Sequence, residues 1–261
     1  MTRHRLQIAI GVTVAFAMVG LFLHLNRNLR QAAERSRCKN NLRSLAVGIH
    51  NHASANNDRL PRAVFGKSDL PPEQCLSWLF ELDPFIESRM DPEWTRYRHE
   101  PWDSENNLRL ARQRNIWVNC PASEMTQTQH GFTITHYVGV LGVGSESGRS
   151  AAHDPRAGIL QHERWVKYED VKDGTGFTIA IIETSLDNGP WIAGGRPTTR
   201  FLDENPTPLG ASGQFGGLHR DCVNVAMLDG SVRTLRLPFD RDKLAALFTI
   251  AGGEGNHTIP E

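Results

Sequence analysis

Leu6 to Leu25 reads LQIAIGVTVAFAMVGLFLHL and contains no Asp, Glu, Lys or Arg. About twenty such residues in a helix match the hydrocarbon thickness of a bilayer. A helix in the core of a globular protein rarely stays free of charge for so long, because one of its faces usually meets water. Arg3 and Arg5 precede the run, as in a secretory signal, but no small-x-small cleavage site follows it. The run gives way instead to Asn26 and Arg27. The sequence therefore predicts an uncleaved single-pass anchor that meets the lipid bilayer through Leu6 to Leu25. It predicts three parts: a tail and transmembrane anchor over 1–25, an amphipathic helical stalk over 26–60, and a head domain over 61–261.

The stalk follows from periodicity. No proline occurs between Asn26 and Asn57, and Cys38, Leu42, Leu45, Ile49 and Ala53 recur at steps of three and four. That spacing puts one apolar stripe on one face of a helix, with Lys39, Asn40, Arg43, Ser44 and Asn51 between its members. Leu60-Pro61 ends the pattern, since proline removes a donor and disfavours helix in the residue before it. Joined to the anchor without a break, residues 6–57 would form a rod of roughly 75–80 Å.

Lys plus Arg and Asp plus Glu both number 29, but the charge is unevenly placed. Residues 26–57 hold six basic side chains and one acidic, Glu34, whereas residues 58–261 hold 21 basic and 28 acidic. A basic segment beside a membrane suits anionic headgroups. The acidic head argues against a nucleic-acid partner. The basic residues after the apolar run outnumber Arg3 and Arg5 before it, which by the positive-inside rule would put the head in the cytoplasm.

Beyond residue 60 the signals become short strands and turns. Ser77 to Ile86 predicts a short helix broken at Asp83-Pro84. Ile116 to Val118, Phe132 to Val140 and Phe177 to Glu183 predict strands, Gly139 to Gly148 a flexible loop, and 187–217 mostly irregular chain. Val223 to Leu228 and Val232 to Leu237 flank Asp229-Gly230-Ser231, a strong hairpin signal because the turn needs residues that tolerate positive φ. Arg241 to Ile250 predicts a last helix, stopped by Gly252-Gly253. No βαβ repeat is present, so the expected class is α+β: a long N-terminal helix followed by a largely antiparallel, β-rich head.

Catalytic motifs are not found. Glu146, not a serine, stands at nucleophile-elbow spacing in Gly-Val-Gly-Ser-Glu-Ser-Gly, and that loop lacks the Gly-Lys-Ser/Thr of a phosphate loop. Neither His-Glu-x-x-His nor Cys-x-x-Cys occurs, so no metal ligand is assigned and no cofactor is expected. Cys38, Cys75, Cys120 and Cys222 are widely spaced, as suits disulfides outside the cytoplasm, and three pairings remain open. His219 and Asp229-Gly230 lie at opposite ends of one predicted strand, which does not suit a His–Asp catalytic pair.

Several segments together resemble a bacterial family of unknown function. Its members combine a prepilin-like N-terminus with a C-terminal His-(nine residues)-Asp-Gly motif. The matching residues begin with Cys38-Lys39-Asn40-Asn41-Leu42, Ser77-Trp78, Pro101-Trp102-Asp103 and Cys120-Pro121. They continue with Asp173-Gly174 leading to Glu183, and Phe215-Gly216 to His219 leading to Asp229-Gly230. The prepilin-peptidase signal Phe-Thr-Leu-x-Glu is missing: Leu6-Gln7-Ile8-Ala9-Ile10 holds no Glu. The resemblance implies a pilin-like shape with the head on the periplasmic or extracytoplasmic side of the inner membrane. That side is opposite to the one the arginine count gives. It implies structural roles for His219, Asp229, Gly230, Asp173, Gly174 and Glu183. The expected function is a non-enzymatic, membrane-anchored pseudopilin-like protein of the cell envelope, acting in secretion or surface assembly with other pseudopilin-like or envelope proteins. The alternatives are an anchored glycan- or small-ligand-binding module using Trp165 and Trp191, and an anchored hydrolase using His219 with Glu183 or a cysteine.

Overall fold

A computed structural model describes residues 2–66, 70–86, 96–151 and 153–253. Its first element is one helix, α1 (Thr2–Ala55), about 80 Å long at 1.5 Å per residue. It ends because Asn57 and Asp58 turn left-handed, at φ 56 and 60, with the Asp58 amide donating back to the Ala53 carbonyl (2.9 Å). Asparagine tolerates this better than most residues. The predicted stripe is buried: Cys38, Leu42, Leu45, Ile49 and Ala53 are all solvent-inaccessible or nearly so. Each large apolar side chain hidden this way contributes roughly 1.5–3 kcal/mol. From Cys38 onward the helix is thus part of the head's core, and the free portion lies before it. There every described side chain is exposed except half-buried Glu34, which accepts from Arg30 Nε (2.9 Å). Among the described residues no helix is long and apolar enough to cross a membrane. The side chains of Leu6, Ile8, Ala9, Ile10 and Val12 lie outside that description.

The head continues with the two-residue strands β1 (Val64–Phe65) and β2 (Leu76–Ser77), which pair antiparallel, then α2 (Trp78–Ile86) and α3 (Glu105–Ala111). Pro84 lies inside α2 and does not break it at Asp83-Pro84 as expected: a proline seven residues into a nine-residue helix costs little backbone bonding near the end. Ser104 caps α3, its side chain accepting from the Asn107 amide. The expected strand at Ile116 to Val118 is instead a turn, shaped by contacts to α1 described below.

The main sheet holds β3 (Tyr137–Val143), β4 (Ile179–Glu183), β5 (Thr199–Leu202), β6 (Cys222–Met227) and β7 (Val232–Arg236) in the order β5-β3-β4-β6-β7. All neighbours are antiparallel except β3 and β5. The Asp229-Gly230 hairpin forms as predicted, with Ala226 opposite Val232 and Gly230 at φ 86. Two expectations fail in the sheet. Gly139 and Val140, where the predicted strand and loop overlapped, are strand, and Leu141 to Val143 continue it in place of a flexible loop. A Cβ on Gly139 would overlap Leu160, and one on Gly142 would overlap the Arg156 carbonyl, so the glycines permit close packing. Thr199 to Leu202 is a strand inside the stretch expected to be irregular.

The sheet is covered on both faces. Tyr137, Leu141, Ile181 and Ala226 share a core with α1, whereas Val138, Val140, Ile182, Val223, Val225 and Leu235 pack with the last helix, α4 (Arg241–Phe248). Alternation along each strand then fixes where the polar exceptions point. Glu183 follows Ile182, and Asn224 lies between Val223 and Val225, so both face α1.

Candidate functional site

The polar residues on the α1 face of the sheet meet at Cys38. A disulfide joins Cys38 to Cys120, 82 residues later. Three residues along the helix, Asn41 reinforces that attachment: its Nδ2 donates to the carbonyls of Asn119 (2.8 Å) and Ile116 (3.2 Å). These bonds account for the turn at 116–120, since the carbonyls aim at α1 and not at a neighbouring strand. Asn119 in turn donates to the Ile134 carbonyl (2.8 Å), and the Cys120 amide donates to His136 Nδ1 (3.3 Å). An Nδ1 that accepts belongs to a neutral imidazole. Burial agrees, lowering the His136 pKa to about 4.

Glu183 closes β4 and is fully buried. The Asn224 amide donates to Oε2 (2.8 Å), and Asn224 Nδ2 lies 3.0 Å from both carboxylate oxygens. Thr234 Oγ1 donates to Asn224 Oδ1 (2.9 Å), which fixes the orientation of that amide. The buried Tyr137 hydroxyl, also contacted by Asn41, has its pKa pushed well up, first by desolvation and then by the Glu183 charge.

His219 completes the group. Its Nε2 is 3.6 Å from Glu183 Oε1 and 3.7 Å from Cys120 Sγ. It is held there by Phe215-Gly216-Gly217. The Gly216 amide donates to the Glu183 carbonyl (2.7 Å), and both glycines have φ above 80. A Cβ on Gly216 would strike Val223 and one on Gly217 would strike Ser185, so larger residues would push His219 away from β4. The buried Arg200 of β5 braces the other side, donating from Nη1 to Thr184 Oγ1 (2.7 Å) and the Gln214 carbonyl (2.9 Å). The ligand-capable atoms of Cys38, Cys120, Glu183 and His219 all lie within 4.8 Å of one another.

The other residues singled out in the sequence lie elsewhere. Asp229 accepts from the Ser231 amide (2.8 Å) and shapes the hairpin turn. Asp173 accepts from the Gly252 (2.8 Å) and Gly253 (3.1 Å) amides, tying the chain after α4 to the loop before β4, and Gly174 beside it adopts φ 93. Cys75 and Cys222 are buried thiols. Desolvation raises the Cys222 pKa, against a hydrogen bond from Arg35. Trp191 is buried against Trp117 and cannot line a surface cleft, whereas Trp165 is partly exposed beneath the guanidinium groups of Arg59 and Arg62. Asn41, His136, Tyr137 and Asn224 were not anticipated as site residues. The available signals were Asn41, within the segment Cys38-Lys39-Asn40-Asn41-Leu42, and Asn224, a lone amide in the apolar run Cys222 to Met227.

Two open grooves flank the cluster. One of about 770 Å³ between α1 and β7 is lined by Arg35, Lys39, Arg233 and Arg236, with Asp221 the one acid. The other, about 760 Å³, includes Cys120, Asn41, Asn119, Arg37 and Arg114.

The model of a family described as proteins of unknown function (DUF1559) matches residues 27–200, two-thirds of the chain. The chain belongs to this family. The matched DUF1559 region contains Cys38, Cys120 and Glu183 and stops before His219. No curated protein and no solved structure matches the chain.

Chemically, a buried carboxylate beside an imidazole could relay a proton. The Cys120 sulfur, 3.7 Å from His219 Nε2, is tied up in the disulfide and is no nucleophile in this state.

Proposed function

We propose that this DUF1559 protein is a non-enzymatic, single-pass, pseudopilin-like protein of the bacterial cell envelope, its head displayed on the extracytoplasmic side of the inner membrane. One observation carries the anchor. The first part of α1 stands clear of the head with Val14, Phe16, Met18, Val19, Leu21, Phe22, Leu23 and Leu25 each at least half exposed. Among the described residues such a surface has no partner within the chain, and a lipid bilayer supplies one. The described part of the apolar run is too short by itself to span, and Leu6, Ile8, Ala9, Ile10 and Val12 extend it to bilayer length. The Cys38–Cys120 disulfide supports an oxidising compartment for the head and stands against the arginine count. The same disulfide anchors the projecting helix to the head, as a protein that transmits position from a membrane to a folded domain requires. Assembly with other pseudopilin-like or envelope proteins is part of the proposal.

Membrane fractionation of the full chain and of a variant lacking residues 2–25, combined with a C-terminal reporter active only outside the cytoplasm, tests it. The full chain is expected in the membrane with an active reporter, and the deletion in the soluble fraction. A full chain recovered in the soluble fraction, or an inactive reporter, refutes the assignment.

A ligand-binding head is the second possibility, favoured by one groove of about 370 Å³ lined by Phe65, Phe85, Trp165, Glu81, His52 and Arg98. Its aromatic walls with a few polar groups suit a sugar or small aromatic ligand.

A further inference from the structure

The His219–Glu183 pair is spaced too widely for the interaction it superficially suggests. At 3.6 Å, Nε2 and Oε1 are beyond a good charge-assisted hydrogen bond, although both residues are buried and pay for desolvation. His219 Nε2 also lies 3.7 Å from Cys120 Sγ, within the longer reach of a hydrogen bond to sulfur. These two spacings match something else. Ligand atoms around a tetrahedral zinc, with bonds of about 2.0–2.3 Å, stand roughly 3.3–3.8 Å apart. The Cys38 Sγ–Cys120 Sγ edge departs from that geometry because the sulfurs are bonded to each other, and the remaining edges lie within 4.8 Å.

We propose that the reduced chain binds one zinc ion through Cys38 Sγ, Cys120 Sγ, His219 Nε2 and Glu183 Oε1, so that the same four residues hold either a disulfide or a metal. The two sulfurs need to separate by roughly 1.7 Å for a tetrahedral edge. Cys38 sits on a helix and Cys120 on a turn, so the turn can take up the motion. The surrounding bonds are those of a metal site's outer shell. The Asn224 backbone amide holds Glu183 Oε2, its side-chain amide bridges both carboxylate oxygens so that Oε1 keeps a lone pair on the His219 side, Thr234 orients Asn224, and the Gly216 amide fixes the backbone of Glu183.

The chemistry balances. A newly made chain carries both thiols. From the disulfide form, a dithiol reductant supplies two electrons: its first thiolate attacks one sulfur and forms a mixed disulfide. Its second thiol then displaces the protein sulfur, leaving two protein thiols and an oxidised dithiol. Zinc binding releases the two thiol protons to solvent, and the dication is held by two thiolates, one carboxylate and a neutral imidazole. The proposal goes beyond the anchored-protein assignment and does not depend on it.

The test uses the full chain in detergent, stripped of metal and then reduced with dithiothreitol in the presence of zinc or cobalt(II). Excess reagent is removed anaerobically before elemental analysis and absorption spectroscopy. The expected result is one metal per chain after reduction and none in the oxidised protein. Cobalt should give thiolate-to-metal charge transfer and the intense visible bands of a tetrahedral site. Glu183→Gln and His219→Gln should each weaken binding at least as much as loss of an outer-shell partner, about 10–100-fold. The Cys75→Ser/Cys222→Ser double variant should bind like the parent. The proposal is overturned if the reduced chain takes up no metal, if it unfolds even with zinc present, if both ligand variants bind as the parent does, or if the Cys75→Ser/Cys222→Ser variant loses the metal.

Discussion

Removing the Cys38–Cys120 crosslink should cost this head a large part of its stability. The bond closes a loop of 82 residues that includes the buried end of α1, β1, β2, α2 and α3. In the chain-entropy account, opening such a loop returns about 15 cal/mol/K to the unfolded ensemble, or about 4.5 kcal/mol at 25 °C. For a head of this size, each kcal/mol moves Tm by about 2–4 °C, so the loss corresponds to about 9–18 °C. Truncating two fully buried sulfurs adds a packing penalty of the same sign. The comparison is urea unfolding of the parent and the Cys38→Ala/Cys120→Ala variant, followed by the fluorescence of the buried Trp78, Trp117 and Trp191, with a chelator present so that no metal compensates. The midpoint should fall sharply while the slope against urea stays near the parental value or rises, because the uncrosslinked unfolded chain is more expanded. Amide exchange should rise first around Asn41 and residues 116–120, the two sides the bond holds together. A loss below about 1 kcal/mol would refute the claim that this crosslink adds materially to the packing that holds α1 to the head.

Three further outcomes are expected. Gly142→Ala should destabilise the fold by about 3 kcal/mol or more in the same urea assay, because φ is 116 there and the new Cβ would overlap the Arg156 carbonyl; a stable, well-folded variant would contradict that packing. Asp173→Ala should cost about 1–2 kcal/mol by leaving the Gly252 and Gly253 amides without their acceptor, and proteolysis should then release the chain after α4 first. Asp154 has its pKa lowered from 3.8 to about 2, chiefly by the hydrogen bond from the Arg156 side chain, so its contribution is complete above about pH 4 and disappears as pH falls toward about 2. Arg156 is largely exposed, so the effect is small, but Asp154→Asn should flatten the pH dependence of stability in that window; identical parent and variant slopes would rule the pair out.

What sequence could reveal depended on how local the cause was. The stripe from Cys38 to Ala53 was legible because one helix face is written at steps of three and four. The Asp229-Gly230 hairpin was legible because positive φ restricts residue choice at a two-residue scale. Both glycine errors had the opposite origin. Gly139 and Gly142 read as loop residues because glycine usually marks freedom, whereas here each admits a neighbour from a distant segment, Leu160 in one case and Arg156 in the other. Thr199 to Leu202 was missed because β5 is short and takes its place by pairing parallel to β3, a partner far away in the chain. Ile116 to Val118 looked like a strand until Asn41 captured the carbonyls around it.

The buried cluster was hidden for the same reason, and its composition explains why motif searches pass over it. Familiar zinc motifs place at least two ligands within a few residues, so that one turn or one helix face pre-forms half of the site. Here each of the four groups comes from a different part of the fold: α1, the turn at 120, the end of β4 and the loop entering β6. No short window contains two of them, and the pair that could have been joined on paper, His219 with Asp229, lies at opposite ends of β6. His219 meets Glu183 because Phe215-Gly216-Gly217 folds the entering loop back along β4, and Cys38 meets Cys120 because Asn41 draws the turn onto the helix. The residues that decide whether this centre exists are therefore the glycines and asparagines around it as much as the four that would touch a metal.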